Sequence, residues 1–183
     1  LYMHEASIKY PGTMAVVLGL DATSVQEVVD ASSEVWVANL NCPGQVVISG
    51  TAEGINQIKE HLIQKGAKRV LPLSVSGAFH SGLMQEAREK LKRDIASTDF
   101  KESEIECVMN VTGDYVKSLD EVRRNIIDQV TSPVYWQKSM ARMNQEGVSE
   151  FIEIGCGKTL TGMSRKMDLQ AGPRDGENIM KKL

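Results

Sequence analysis

His80 stands in the stretch Gly77-Ala78-Phe79-His80-Ser81-Gly82, between an extended segment and a helical one. Small residues ahead of it leave the backbone uncrowded, and an imidazole on such a loop can reach a cleft and exchange protons near neutral pH. A loop histidine can equally be merely solvated or hydrogen-bonded, because catalysis needs a nucleophile and an acceptor that orients the ring. Ser81 does not supply that nucleophile by pattern. An elbow serine sits in Gly-x-Ser-x-Gly, whereas the residues two places to either side of Ser81 are Phe79 and Leu83.

Other stretches invite chemistry less strongly. Gly155-Cys156-Gly157-Lys158-Thr159 imitates the end of a phosphate-binding loop, but the position where that loop needs its first glycine is Ile152. The two glycines are therefore expected to make a strand-to-helix turn. Asn39 and Asn41 alternate onto one side of a predicted strand, and Lys68-Arg69 precede another; pattern alone reads them as a hairpin edge and a solvated charge pair. His4 and His61 lie in charged helical surroundings and are expected to face solvent. No pair of histidines or carboxylates has metal-ligand spacing, so no metal is expected.

The elements that must position these residues follow from hydrophobic period. After the turn signal Pro11-Gly12, residues 13–20 read as a strand, and 24–32 as a helix through Val25, Val28 and Val29. Residues 35–40 and 45–49 form a hairpin about Asn41-Cys42-Pro43-Gly44. Residues 51–65 place Ile55, Ile58, Leu62 and Ile63 at helical spacing and end at Gly66, and 69–75 form another strand. The order β-α-β-β-α-β is that of a ferredoxin-like module. A charged amphipathic helix over 82–97, a short strand over 106–110 and a helix started by Ser118-Leu119-Asp120-Glu121 come next. That helix should stop near Gln129 or Val130, ahead of Thr131-Ser132-Pro133. Residues 136–144 read as helix, 150–154 as strand and 159–166 as the opening of a helix, which is α/β grammar. The tail from Gln170 onward is polar and indistinct.

Composition narrows the function classes. With 183 residues, 42% hydrophobic, the chain can bury a core as one domain or as one domain with a smaller module inserted. A net charge of −3 with interspersed signs argues against nucleic acid as a partner, since phosphate binding needs a concentrated cationic face. No apolar run approaches the roughly 18 to 20 residues that span a bilayer. Cys42, Cys107 and Cys156 are far apart, odd in number and outside CxxC pairs, which favours a reducing, cytoplasmic compartment. The opening Leu1-Tyr2-Met3-His4-Glu5-Ala6 lacks an initiator methionine and reads as if entered partway through a helix, which suggests upstream chain.

Taken together, 39–50, beginning Asn39-Leu40-Asn41-Cys42-Pro43-Gly44-Gln45, and 77–84 closely resemble the malonyl-CoA:acyl-carrier-protein transacylases of bacterial fatty-acid synthesis. Gln129-Val130-Thr131-Ser132-Pro133-Val134-Tyr135-Trp136 and 153–162, around Gly155-Cys156-Gly157, resemble the family's later motifs in the same order. The resemblance runs from about Met3 to Met167. It implies an α/β fold: an α/β-hydrolase-like large subdomain, of which this chain holds the C-terminal part, with the ferredoxin-like βαββαβ subdomain inserted. On that reading 1–12 is a remnant of the large subdomain, 13–76 the small subdomain and 77–183 the C-terminal part of the large one.

The resemblance also implies roles. An elbow serine attacks the malonyl thioester, His80 takes its proton, and the malonyl group passes through an acyl-enzyme to the phosphopantetheine of acyl-carrier protein. The backbone carbonyl of Gln129 would accept a hydrogen bond from His80 and orient the ring. Asn39, Asn41, Lys68 and Arg69 would line the thioester-carrier side of the cleft, and Phe79 would favour malonyl over methylmalonyl units by filling the space of a branch. No cofactor of the protein's own is implied; malonyl-CoA is substrate and phosphopantetheine is carried by the partner.

Two departures from the family pattern are large. The elbow serine and the arginine that pairs with the malonyl carboxylate would both stand upstream of Leu1, so the chain alone is expected not to catalyse transfer. Cys156 stands where the family commonly has proline. The alternatives are a non-catalytic module that holds coenzyme A or carrier protein, and an acyltransferase fragment of a polyketide synthase.

Overall fold

The structure, a computed structural model, describes residues 1–169 and 172–175. Helix α1 (Tyr2–Lys9) leads to β1 (Thr13–Leu18), α2 (Ala22–Val29), β2 (Val35–Cys42), β3 (Gln45–Gly50), α3 (Ala52–Gln64) and β4 (Arg69–Pro72). The four strands make one antiparallel sheet in the order β2-β3-β1-β4.

Alternation of side chains gives that sheet two different faces. Ala15, Val17, Val35, Val37, Val46, Ile48 and Val70 face one way and form a core with Val25, Val29, Ile55, Ile58 and Leu62 of α2 and α3. The helices are started by side-chain caps: Asp21 accepts from the Ser24 amide at 2.9 Å, and Thr51 from the Gly54 amide at 2.9 Å. Met14, Ala38 and Val47 form the opposite face, with Val16, Leu73 and Phe79 packed against them. The first face is covered by helices, and the second faces the loop that carries His80.

Beyond β4, a 3-10 turn (Gly82–Met84) runs into α4 (Gln85–Ser97). A small hairpin of β5 (Val108–Met109) and β6 (Asp114–Tyr115) precedes α5 (Leu119–Asp128) and α6 (Trp136–Gln145). The sequence shows only the first strand of that hairpin, because each strand is two residues long and leaves no period to read. Ser118 caps α5 by accepting from the Glu121 amide at 3.2 Å, while the Glu121 carboxylate reaches back to the Lys117 amide at 2.9 Å.

Segment 1–12 returns to the later half of the chain across the small module. Ala6 is buried with Met84, Ala87 and Val130. Tyr2 donates to Asp94 at 2.7 Å, Lys9 pairs with Glu86 at 2.6 Å and Lys90 with Glu5 at 2.8 Å. These pairs are solvent-facing and screened, so they add little, and the apolar seam holds α1 onto α4.

Finally, β7 (Glu150–Glu153) is followed by α7 (Thr159–Ser164) and by β8 (Gly172–Asp175), which pairs with β7 in parallel. A strand at 172–175 corrects the reading of the tail as indistinct; its Gly-Pro start carries little strand propensity, and pairing at a sheet edge tolerates proline. Residues 170–171 and 176–183 of that tail lie outside the described residues.

Candidate functional site

The loop from β4 to α4 is held by close packing at small residues. A β-carbon on Gly77 would lie 2.5 Å from Ser7 Cβ, and one on Gly12 would lie 2.6 Å from Ala78 Cβ and 2.7 Å from the Gly50 carbonyl oxygen. Ala78 and Ser81 are fully buried. Ser81 Oγ donates to the Ala78 carbonyl at 2.6 Å and accepts from the Leu83 amide at 3.2 Å. Its hydroxyl therefore caps the 3-10 turn and closes the loop, as fits a serine outside an elbow.

Between those anchors His80 has φ of 56°, the one non-glycine residue with positive φ among the described residues. Left-handed backbone is uncommon for such a side chain and persists where the surroundings enforce it. Here it turns the ring toward the end of α5, where Nδ1 lies 2.8 Å from the Gln129 carbonyl oxygen. A carbonyl can only accept, so Nδ1 carries the proton and Nε2 of the neutral ring holds a lone pair. Gln129 is the C-cap of α5, so its carbonyl belongs to the set that the helix leaves unpaired.

The acceptor is itself pinned. Arg88 of α4 donates to the Asp128 carboxylate at 2.5 Å, tying the last turn of α5 to the helix that follows His80. On the other side the Val134 amide donates to the Ala38 carbonyl at 2.8 Å, and the Leu40 amide donates to the Val134 carbonyl at 2.9 Å. This parallel bridge joins the segment after Gln129 to the edge of β2.

His80 lines a cavity of about 500 Å³ together with Met3, His4, Met14, Asn39, Ser76 and Phe79. Met3, Met14 and Phe79 give it an apolar wall, beside which stand the polar His4, Asn39, Ser76 and His80, a combination found in ligand sites. Of the residues singled out in the sequence, His80, Phe79 and Asn39 line this cavity, and Gln129 meets His80 through its carbonyl. Asn41 is 8% exposed and does not line it. Register shifts between Val37 and Asn39 and between Leu40 and Cys42 break the strict alternation that grouped the two asparagines. Lys68 and Arg69 are exposed at the start of β4, three strands from β2 and thus roughly 14 Å away across the sheet. The charged helical neighbours of His4 predict a solvated face. His4 is exposed, yet α1 carries it to the cavity rim through a packing that local period does not reveal.

The glycine turn after β7 takes the strand-to-helix form, with Gly155 at φ 139° and Gly157 at φ 89°. The Glu153 carboxylate accepts from the Leu160 amide at 3.0 Å and the Thr161 amide at 2.8 Å. Those backbone bonds hold its acid below the usual carboxylate range. Two amides at the start of α7 are thus taken by the chain's own anion. Among the described residues, no group of three or more histidines, cysteines and carboxylates could hold a metal ion, and no helix is long and apolar enough to cross a membrane.

Comparison with known proteins agrees over nearly the whole chain. The acyl transferase domain family matches residues 3–169. A malonyl CoA-acyl carrier protein transacylase of Bacillus subtilis is 43% identical over 171 residues, covering 91% of this chain and 54% of that protein. The crystal structure of a malonyl CoA-acyl carrier protein transacylase from Clostridium perfringens superposes with a TM-score of 0.90 at 30% identity, covering 99% of this chain and 60% of that one. A malonyl-transacylase solved in complex with the acyl-carrier protein of a type II polyketide synthase has a TM-score of 0.90 at 32% identity, covering 95% of this chain and 57% of that one. The chain thus spans about half the length of the curated relatives it matches.

Proposed function

The chain belongs to the acyl transferase domain family, and from that premise we propose that it carries the base-bearing part of an enzyme that moves a malonyl group from coenzyme A to acyl-carrier protein in fatty-acid synthesis. The relatives named above are transacylases of that specificity, one of them bound to a carrier protein. The observation that carries the reading is the His80 ring, held at positive φ with its Nδ1 proton on the Gln129 carbonyl and its place in the cavity wall.

The chemistry runs through His80 Nε2. A serine outside these 183 residues attacks the malonyl thioester carbonyl while Nε2 takes the hydroxyl proton. The tetrahedral intermediate collapses, the carbon–sulfur bond breaks, and the proton passes from the imidazolium to the departing coenzyme A thiolate. In the second half, the phosphopantetheine thiol gives its proton to Nε2 and attacks the serine ester. The proton then returns to the serine oxygen, and malonyl carrier protein leaves. Neutral Gln129 suffices because its task is to hold the tautomer, as the aspartate does in a charged triad.

Phe79 would narrow the cavity against branched acyl groups, and Asn39 would bind the thioester side. Asn41, Lys68 and Arg69 lie off the cavity and would act farther out, toward the coenzyme A phosphates or the acidic face of a carrier. The antiparallel sheet with both helices on one face supports 13–76 as a ferredoxin-like subdomain inserted between 1–12 and 77–183 of an α/β-hydrolase-like subdomain. Free Cys42, Cys107 and Cys156 suit a cytoplasmic setting, and no cofactor of the protein's own is required.

Transfer from malonyl-CoA to holo carrier protein by the full-length protein tests the reading. The His80→Ala variant is expected to lose about 10²- to 10⁴-fold in kcat, the usual worth of a general base. Transfer at the wild-type rate by that variant would remove the basis for the proposal.

A further inference from the structure

The edge strand β2 touches both halves of the His80–Gln129 pair. On the acceptor side, Ala38 and Leu40 form the parallel bridge to Val134, five residues after Gln129. On the histidine side, Trp36 lies against Gly82, two residues after His80. A β-carbon on Gly82 would stand 2.6 Å from Trp36 Cζ2, 3.0 Å from Cε2 and 3.3 Å from Cη2. The backbone at Gly82 therefore rests directly on the benzo ring of the indole, and any larger residue there would displace one or the other.

Trp36 is well placed to hold that contact still. It pairs across the sheet with Ser49, which pairs in turn with Met14. This row belongs to the sheet face that looks toward the His80 loop, opposite the helix-covered core. The side chain two residues later on the same face, Ala38, is fully buried, so the strand is clamped immediately beside the indole. One short rigid segment, 36–40, thus sets the position of the histidine loop and of its acceptor in a common frame.

We infer that Trp36 is a positioning residue for His80: its indole, seated on Gly82, holds the loop so that the His80 Nδ1 proton stays on the Gln129 carbonyl. The functional consequence rests on the reading of His80 as the base of acyl transfer. Positive φ is uncommon for a residue other than glycine, and although histidine tolerates it better than most, it persists where the surroundings hold it. The indole contact on one side and the bridge to Val134 on the other add to the hold that Ser81 and the packing at Gly12 and Gly77 give the loop. With the contact removed, the ring can turn from the carbonyl, and the neutral imidazole loses its bias toward the Nδ1–H tautomer.

The test is the nitrogen-15 spectrum of the His80 imidazole in the full-length protein at a pH where the ring is neutral, beside a thermal melt of each variant. No transfer activity is needed, so failure of the acyl-transfer reading and failure of this inference are separate results. Wild type is expected to show one Nδ1–H tautomer. Trp36→Ala and Gly82→Ala are expected to show exchange-averaged shifts of a tautomer mixture, and Trp36→Tyr, which keeps a ring, to fall between. In a transfer-competent protein the two alanine variants should lose up to about 10²-fold in kcat with KM unchanged, the scale of an ångström of misplacement. A single Nδ1–H tautomer in folded Trp36→Ala or Gly82→Ala overturns the inference. Should Trp36→Ala fail to fold, Gly82→Ala, which keeps the indole, decides it alone.

Discussion

Replacing Gly12 by alanine reaches the His80 loop from a residue that has no chemistry of its own. The new methyl would lie 2.6 Å from Ala78 Cβ, 2.7 Å from the Gly50 carbonyl oxygen and 3.0 Å from Leu83 Cδ1, against an ordinary contact of 3.4–4 Å. Leu83 can swing away. The Gly50 carbonyl cannot, because β3 is paired on both sides, and Ala78 is fully buried beneath the loop. The relief must come from the 77–81 backbone, which moves outward and carries His80 with it. Overpacking of this kind costs about 1–3 kcal/mol, and at about 2–4 °C per kcal/mol for a chain of this size the melt should fall by roughly 2–12 °C. Differential scanning calorimetry measures it. The double variant Gly12→Ala/Ala78→Gly removes one of the two rigid overlaps and should recover part of the loss, giving a coupling of more than about 0.5 kcal/mol. An unchanged melt for Gly12→Ala, or strict additivity in the double variant, would refute the claim that this packing sets the loop.

Further outcomes follow from the core and the titrating groups. Leu62→Ala empties a fully buried site between α3 and the sheet and should cost about 2–5 kcal/mol by denaturant titration, with no change in the slope. Glu86 has its acid held down to about 2, from an ordinary 4.5, chiefly by Lys9 and then by Lys90. A carboxylate with a lowered folded-state value stabilises above its unfolded value and loses that effect as pH falls. The difference in melting temperature between wild type and Glu86→Gln should therefore be constant above about pH 5, shrink from pH 4.5 toward 2, and diminish in high salt because the pairs are exposed. Burial raises the Cys42 thiol above its ordinary value, whereas Cys107 and Cys156 are exposed. A thiol-reactive probe at pH 8 should label two cysteines quickly and the third only on unfolding; rapid labelling of three would contradict the burial.

What the sequence made legible was what local period and turn chemistry control. The β-α-β-β-α-β order follows from Val, Ile and Leu spacing, the start of α5 from the capping box at Ser118, and the strand-to-helix turn from Gly155 and Gly157. Local residues mark His80 only as a candidate, and its pairing with Gln129 rests on the resemblance, since nothing local marks a carbonyl 49 positions away as the partner of an imidazole. The spacing of Asn39 and Asn41 misled because β-bulges shift side chains by one place, an effect that alternation cannot foresee. Pattern reads Lys68 and Arg69 as a solvated pair and the resemblance sets them on the carrier side of the cleft; strand order, which only the fold gives, puts them exposed at the opposite edge of the sheet from β2. The place of His4 at the cavity and of Trp36 against Gly82 is set by tertiary contact, and a polar helix face or an aromatic in an edge strand looks the same in sequence with or without one.

The most direct test of His80 as the base of acyl transfer is the intact mass of the full-length protein after brief exposure to malonyl-CoA, with wild type and His80→Ala compared in their first turnover. The expected result is one malonyl adduct on the wild type, discharged by added holo carrier protein, and none on the variant over the same interval. An adduct forming at the same rate on His80→Ala would contradict the role assigned to the His80–Gln129 pair.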